Sequence, residues 1–241
     1  MKKAKDYLIF PLDVPTYDEA IRYVELLKEH VGIFKVGLEL FVSVGPKILS
    51  AIKERSDAGI FLDLKFHDIP ATVKGAFLAV SAYGVTFTTV HCDEGKDLLR
   101  SVVDNNPSGV KILAITVLTS LDSKNLKGLG YNDRYVADIT ELVMLKARMA
   151  KEAGCSGVVC SGLEVEKVKT ELGKDFIAVT PGIRPQWSIV GKDDQKRIIT
   201  PDQAIKKGAD YIVVGRPIRN AEKPAEAAKR VLGDIEIAIT Q

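Results

Sequence analysis

Five short apolar runs rich in β-branched residues begin near Tyr7, Ile33, Gly59, Val85 and Lys111, about every 26 residues, and this spacing restricts the fold more than any other feature of the chain. Each run is nearly continuous in apolar character instead of alternating with polar residues. A strand that reads this way is covered on both faces, as in a parallel sheet flanked by helices. Three further runs follow at 157–160, 176–180 and 211–214. Between the runs lie helix-like patterns over 17–30, 40–55, 71–82, 95–105, 134–153, 164–172 and 202–207, and a last one covers 221–232. Strands and helices in strict alternation predict an α/β fold, a single-domain (β/α)8 TIM barrel over residues 1–241, and that length is ordinary for such a barrel. An open doubly wound sheet is the alternative.

In a barrel of this kind the chemistry sits at the carboxyl ends of the strands and in the loops that follow. Asp13 ends the first strand, Lys35 lies in the second, and Asp63, Lys65 and Asp68 close the third. His91 ends the fourth strand, Thr119 and Ser120 the fifth, Arg184 the seventh, and Gly215 and Arg216 the eighth. The densest group is Asp63-Leu64-Lys65-Phe66-His67-Asp68. Strand alternation points Asp63 and Lys65 to the same side, roughly 6 to 7 Å apart, and Leu64 and Phe66 to the other. Unpaired ions inside a barrel are very costly, so Lys35, Asp63 and Lys65, which interrupt otherwise apolar strands, mark a site. Carboxylates beside an amine hold its proton, which suits Lys65 to general-acid work better than to Schiff-base chemistry. A structural ion-pair network at the barrel mouth is the alternative.

A second signal concerns an anion. Gly215 lets backbone N–H groups approach a ligand closely, and the Arg216 fork can clasp phosphate oxygens, in the region where barrels often hold phosphate. The long loop from 181 to 200 carries Arg184, Gln186, Lys192, Gln195 and Arg197 and reads as a flap over that anion. Recognition has to be local. The net charge is +2, from 34 basic and 32 acidic residues, and argues for neither a nucleic-acid nor a membrane partner. Three cysteines without a C-x-x-C pair suit reduced, inert thiols in the cytoplasm. No apolar run is long enough for an export signal or a transmembrane helix.

The motif Asp63-x-Lys65-x-x-Asp68, followed by Ile69-Pro70-Ala71-Thr72-Val73, closely resembles the signature of the orotidine 5'-phosphate decarboxylase family, which converts orotidine monophosphate to uridine monophosphate and CO2 in pyrimidine synthesis. Further matches to the bacterial branch are Leu12-Asp13-Val14, Phe34-Lys35-Val36-Gly37, Thr116-Val117-Leu118-Thr119-Ser120, Thr180-Pro181-Gly182-Ile183-Arg184-Pro185, Asp194-Gln195-x-Arg197 and Gly215-Arg216-Pro217-Ile218. Together they run from the first strand to the eighth. The resemblance implies that Lys65 donates a proton to C6 and that Asp63 lies beside the departing carboxylate. It further implies that Asp13 and Lys35 bind near the ribose, that Thr119 contacts the pyrimidine, and that Arg184, Gln195, Gly215 and Arg216 hold the phosphate. Asp68 would be a catalytic residue that, with Thr72, reaches across a homodimer interface into the partner's site, and Ile69 and Thr72 would bind substrate. Neither metal nor organic cofactor is implied.

His91 at a strand end suggests a general base, but the reaction needs an acid, and a histidine fixed by hydrogen bonds is the better reading. Cys92 stands where the family pattern favours a small residue. Two other classes stay open: a magnesium-dependent sugar-phosphate decarboxylase or aldolase-type lyase sharing the Asp-x-Lys-x-x-Asp core, and a non-catalytic phosphate-binding barrel. The Ile69-Pro70-x-Thr72-Val73 tail favours the decarboxylase of orotidine monophosphate over the first.

Overall fold

The computed structural model describes residues 2–188 and 197–240. The apolar runs are parallel strands: β1 (Leu8–Pro11), β2 (Ile33–Gly37), β3 (Gly59–Phe66), β4 (Phe87–His91), β5 (Lys111–Ile115), β6 (Gly157–Val159), β7 (Ile177–Thr180) and β8 (Tyr211–Val213). They follow one another in sequence order and close into a barrel, because β8 pairs with β1 through Ile9 and Val213. The open-sheet alternative is thereby excluded.

Continuous apolar character reflects two separate cores. Leu8, Phe10, Phe34, Val36, Ile60 and Leu62 face outward and are buried beneath the helices. Ile9, Ile33, Phe61, Phe87, Leu113 and Val179 face inward and fill the barrel. Phe61 and Phe87 meet edge to face at 5.9 Å, and burying each such side chain stabilises by roughly 1.5–3 kcal/mol. Two residues further along β2, β3 and β4 the inward positions turn polar: Lys35 follows Ile33, Asp63 follows Phe61 and Thr89 follows Phe87. The barrel therefore has an apolar floor and a charged carboxyl end.

The helices differ from expectation in four places. The pattern over 40–55 is two helices, Leu38–Val44 and Lys47–Arg55, because Gly45 takes a φ of 74° and Pro46 cannot continue the first. The pattern over 134–153 is interrupted at Asp138, which is extended and caps Ile139–Ala153 by accepting from the Thr140 N–H. The last helix runs over Pro224–Thr240, eight residues beyond the expected end at 232. A short helix, Ser123–Gly128, capped reciprocally by Asp122 and Asn125, was not expected from the periodicity.

Strand β3 carries the most unusual backbone. Lys65 has a φ of 49°, the one positive value among the described non-glycine residues, and the pairing of β3 with β4 shifts register between Leu62 and Phe66. Such a conformation costs of order 1–2 kcal/mol for a residue with a Cβ, and an outlier of this kind is a pointer to function. Simple alternation therefore does not describe how Lys65 reaches the interior.

Candidate active site

Four charged side chains of alternating sign line the carboxyl end of the barrel. Asp13 follows β1, Lys35 comes from β2, and Asp63 and Lys65 come from β3. The Lys35 ammonium lies 3.0 Å from Asp13 Oδ1 and 3.6 Å from Asp63 Oδ2. The Lys65 ammonium donates to the same Asp63 Oδ2 at 2.7 Å. Gly37 leaves room for this arrangement, since a Cβ there would stand 3.0 Å from the Lys35 ammonium and 3.4 Å from Asp13 Oδ1.

Thr89 on β4 is the group that sequence reasoning missed. Fully buried, it donates its hydroxyl to Asp63 Oδ1 at 3.0 Å and accepts the Lys65 backbone N–H at 2.9 Å. One side chain thus fixes the carboxylate and holds Lys65 in its left-handed conformation. Its place two residues after Phe87 puts it on the inward face of β4, but only the pairing with β3 shows that this face meets Asp63.

Lys35, Asp63 and Lys65 all line the cavity, and of these three Lys65 is the most exposed, at 32% against 9% for the Asp63 side chain and 12% for Lys35. Burial alone would raise the Asp63 carboxyl, but Lys35, Lys65 and Thr89 outweigh it and hold the group below its usual range. Burial alone would likewise lower Lys35, and Asp63 with Asp13 reverses the sign, leaving it raised. The site therefore favours the ionised form of the Asp63 carboxyl beside the partly exposed Lys65 side chain.

Above the cluster lies a cavity of about 210 Å³, floored by Phe61 and Val213 and edged by Leu118, Thr119 and Ser120. It meets a groove of about 430 Å³ that holds Asp13, Glu39, Gly182, Arg184, Gly215 and Arg216, and Lys35 lines both. Half-buried Arg216 and buried Arg184 make the far end of the groove basic. A small inner chamber joined to a basic groove suits a planar head group carrying an anionic tail. Gly215 has a steric reason of its own, because a Cβ there would meet Pro11 Cγ at 2.9 Å.

Not every expected residue joins the cluster. Asp68, Ile69 and Thr72 are exposed, and the Asp68 carboxylate accepts from the Ile69 N–H at 2.6 Å; among the described residues no ion pair links Asp68 to Lys65. Gln195 lies outside the described residues. Arg197, read from the sequence as part of an anion-binding flap, instead turns inward and is buried against Glu164. His91 is held by Asp93 through Nδ1 at 3.0 Å and stacks on His67 at 5.0 Å. That contact, together with Lys146 and against the opposing effect of burial, holds the Asp93 carboxyl far below its usual range. All three cysteines are buried, and burial pushes Cys92 and Cys155 up to about 12, as expected of inert thiols.

The profile of the orotidine 5'-phosphate decarboxylase / HUMPS family matches residues 6–231. The chain belongs to this family. A relative named orotidine 5'-phosphate decarboxylase from Desulfosudis oleivorans is 51% identical over 236 residues, covering 98% of this chain and 95% of the relative. Another of that name, from Gloeothece citriformis, is 46% identical over 95% of this chain and 97% of its own length. The crystal structure of orotidine 5'-phosphate decarboxylase from Lactobacillus acidophilus superposes with a TM-score of 0.79 at 35% identity, covering 95% of this chain and 98% of that one. The family's closed barrel and this chain's therefore agree over nearly the whole length.

Proposed function

We propose that this chain decarboxylates orotidine 5'-monophosphate to uridine 5'-monophosphate and CO2, as a carboxy-lyase of pyrimidine synthesis. The observation that carries the proposal is the 2.7 Å contact between Asp63 and Lys65, a buried, ionised carboxylate joined to an ammonium that faces the cavity. The high identity to relatives bearing that name supports it.

The pyrimidine occupies the chamber against Thr119, and the phosphate lies in the basic groove with Arg184, Arg216 and the Gly215 backbone, joined by Gln195. Asp13 and Lys35 bind near the ribose. The C6 carboxylate then lies beside Asp63, whose fixed charge opposes the substrate anion more than the neutral CO2 it becomes. The C6–carboxylate bond breaks, its electron pair stays on C6, and Lys65 stabilises that developing charge and transfers a proton from Nζ to form the C6–H bond. Solvent returns a proton to Lys65. No step calls for a metal.

Asp68, Ile69 and Thr72 take the role of serving the neighbouring copy of a homodimer, which accords with their exposure on the rim beyond β3. A cytoplasmic address accords with the buried thiols, and no described helix is long and apolar enough to cross a membrane. Loss of the ultraviolet absorbance of orotidine monophosphate on adding the purified chain, with chelator present, tests the proposal. A magnesium requirement, or nucleotide binding without CO2 release, would overturn it.

A further inference from the structure

We propose that Arg197 is a positioning residue for this site: its guanidinium ties the loop after β7 to the loops after β5 and β6 and thereby sets the place of Thr119. The inference rests on the reading that Thr119 edges the pyrimidine chamber.

Three observations converge on residues 197–199. Arg197 Nη1 donates to Glu164 Oε1 at 2.8 Å, in the loop after β6, and Nη2 donates to the Val117 carbonyl at 2.9 Å, in the loop after β5. Two residues on, Ile199 forms a parallel bridge with Ile183: the Arg184 N–H donates to the Ile199 carbonyl at 2.9 Å, and the Ile199 N–H to the Gly182 carbonyl at 3.3 Å. The Ile199 side chain also fills the space above Gly162, where a Cβ would come within 2.4 Å of Ile199 Cγ2. Residues 197–199 are therefore anchored by backbone bonds to the start of the loop after β7 and by side chains to the loops after β5 and β6.

The charge pair is poorly explained as a source of stability. Both partners are buried, yet Arg197 Nε and Glu164 Oε2 have no hydrogen-bond partner among the described residues, and burial keeps the Glu164 carboxyl raised in spite of the arginine. A buried ion pair that leaves a buried nitrogen and a buried oxygen unpaired contributes little net stability. What a planar guanidinium does supply is geometry, because two charge-assisted hydrogen bonds in fixed directions define where their acceptors lie. One of those acceptors, the Val117 carbonyl, stands two residues before Thr119, and both residues line the cavity, which Arg197 does not. Arg197 thus acts on the chamber through the 117–119 backbone.

Removing Arg197 alone would strand Glu164 as a buried charge, so the informative variant is Arg197→Met combined with Glu164→Leu, which removes both charges and keeps the volume. It is expected to melt at or above the wild-type temperature while the backbone amides of 116–121 exchange with deuterium about tenfold faster and kcat/KM falls about tenfold. In a Thr119→Ala background the same pair should cost no more than about twofold, because two residues acting through one position do not add. Arg197→Lys, which keeps the charge without the fork, should give an intermediate kcat/KM at wild-type stability. Unchanged exchange over 116–121, or an undiminished loss in the Thr119→Ala background, would overturn the proposal. If the wild-type chain failed to decarboxylate orotidine monophosphate, the functional reading would fall, and the exchange measurement would still decide whether Arg197 places the 117–119 backbone.

Discussion

Thr89 and Lys65 are joined across the seam between β3 and β4 by a 2.9 Å bond from the lysine's backbone N–H to the threonine hydroxyl, at the one described non-glycine residue with a left-handed backbone. Because the same hydroxyl donates to Asp63, the two charged residues of β3 share one support.

Replacing that support should therefore be costly out of proportion to its size. Thr89→Val keeps the shape but leaves Asp63 Oδ1 and the Lys65 N–H without their partner, a loss of about 1.5–3 kcal/mol for a hydrogen bond to a charged group. Expressed in kcat at saturating substrate, this corresponds to a decrease of about tenfold to a hundredfold. A Thr89→Val enzyme with wild-type kcat would show that the bond is incidental.

Acid stability carries a second signature. Asp63 titrates below its ordinary value of 3.8, because Lys35 and Lys65 outweigh the effect of burial. A carboxyl depressed in the folded state contributes stability that is present above its unfolded pKa and is lost as pH falls through the folded pKa. Unfolding free energies of the wild type and Asp63→Asn, measured from about pH 6 to about pH 2, should accordingly converge as the pH drops, with the wild type showing the steeper fall. Parallel curves would mean that Asp63 is not held ionised by its neighbours. Lys35 behaves oppositely: raised above 10.5, its contribution is present below that pH and fades as alkali is added.

Gly37 offers a purely steric test. In Gly37→Ala the new methyl presses on the Lys35 ammonium at 3.0 Å and on Asp13 at 3.4 Å, atoms at the ends of side chains that can shift. The barrel should remain folded while KM rises about threefold to tenfold through the displaced Lys35–Asp13 pair. A KM unchanged alongside wild-type stability would separate that pair from substrate binding.

Arg216 and Arg184 share the groove, and Arg216 starts the short helix Arg216–Arg219. If the groove holds the substrate phosphate, Arg216→Ala should raise KM about tenfold to a hundredfold, with much of its salt sensitivity lost. Equal affinity for uridine monophosphate in the variant and the wild type, measured by calorimetry, would place the phosphate elsewhere.

Much of this was legible because a parallel barrel leaves an unmistakable trace: strands buried on both faces must be apolar throughout, so Lys35 and Asp63 stood out as interruptions. The break at Gly45-Pro46 was written in the residues themselves but was hidden by helical periodicity on either side of it. Lys65 was different. Nothing in a residue type marks a lysine for a left-handed backbone, since that conformation is imposed by the register shift against β4 and by Thr89. Thr89 stayed invisible for a related reason, because which face of β4 meets Asp63 depends on pairing between strands and not on either strand alone. Arg197 was misread because a basic residue in a long polar loop resembles an anion ligand until its buried partner Glu164, 33 residues away, is in place.

The central claim is that Lys65, held by Asp63, supplies the proton that replaces CO2, and the most direct measurement is the turnover of orotidine monophosphate by Lys65→Ala, with folding verified by circular dichroism and chelator present. The expected result is a folded barrel whose kcat has dropped by at least about a hundredfold to ten-thousandfold; turnover within about threefold of the wild type would contradict the assignment.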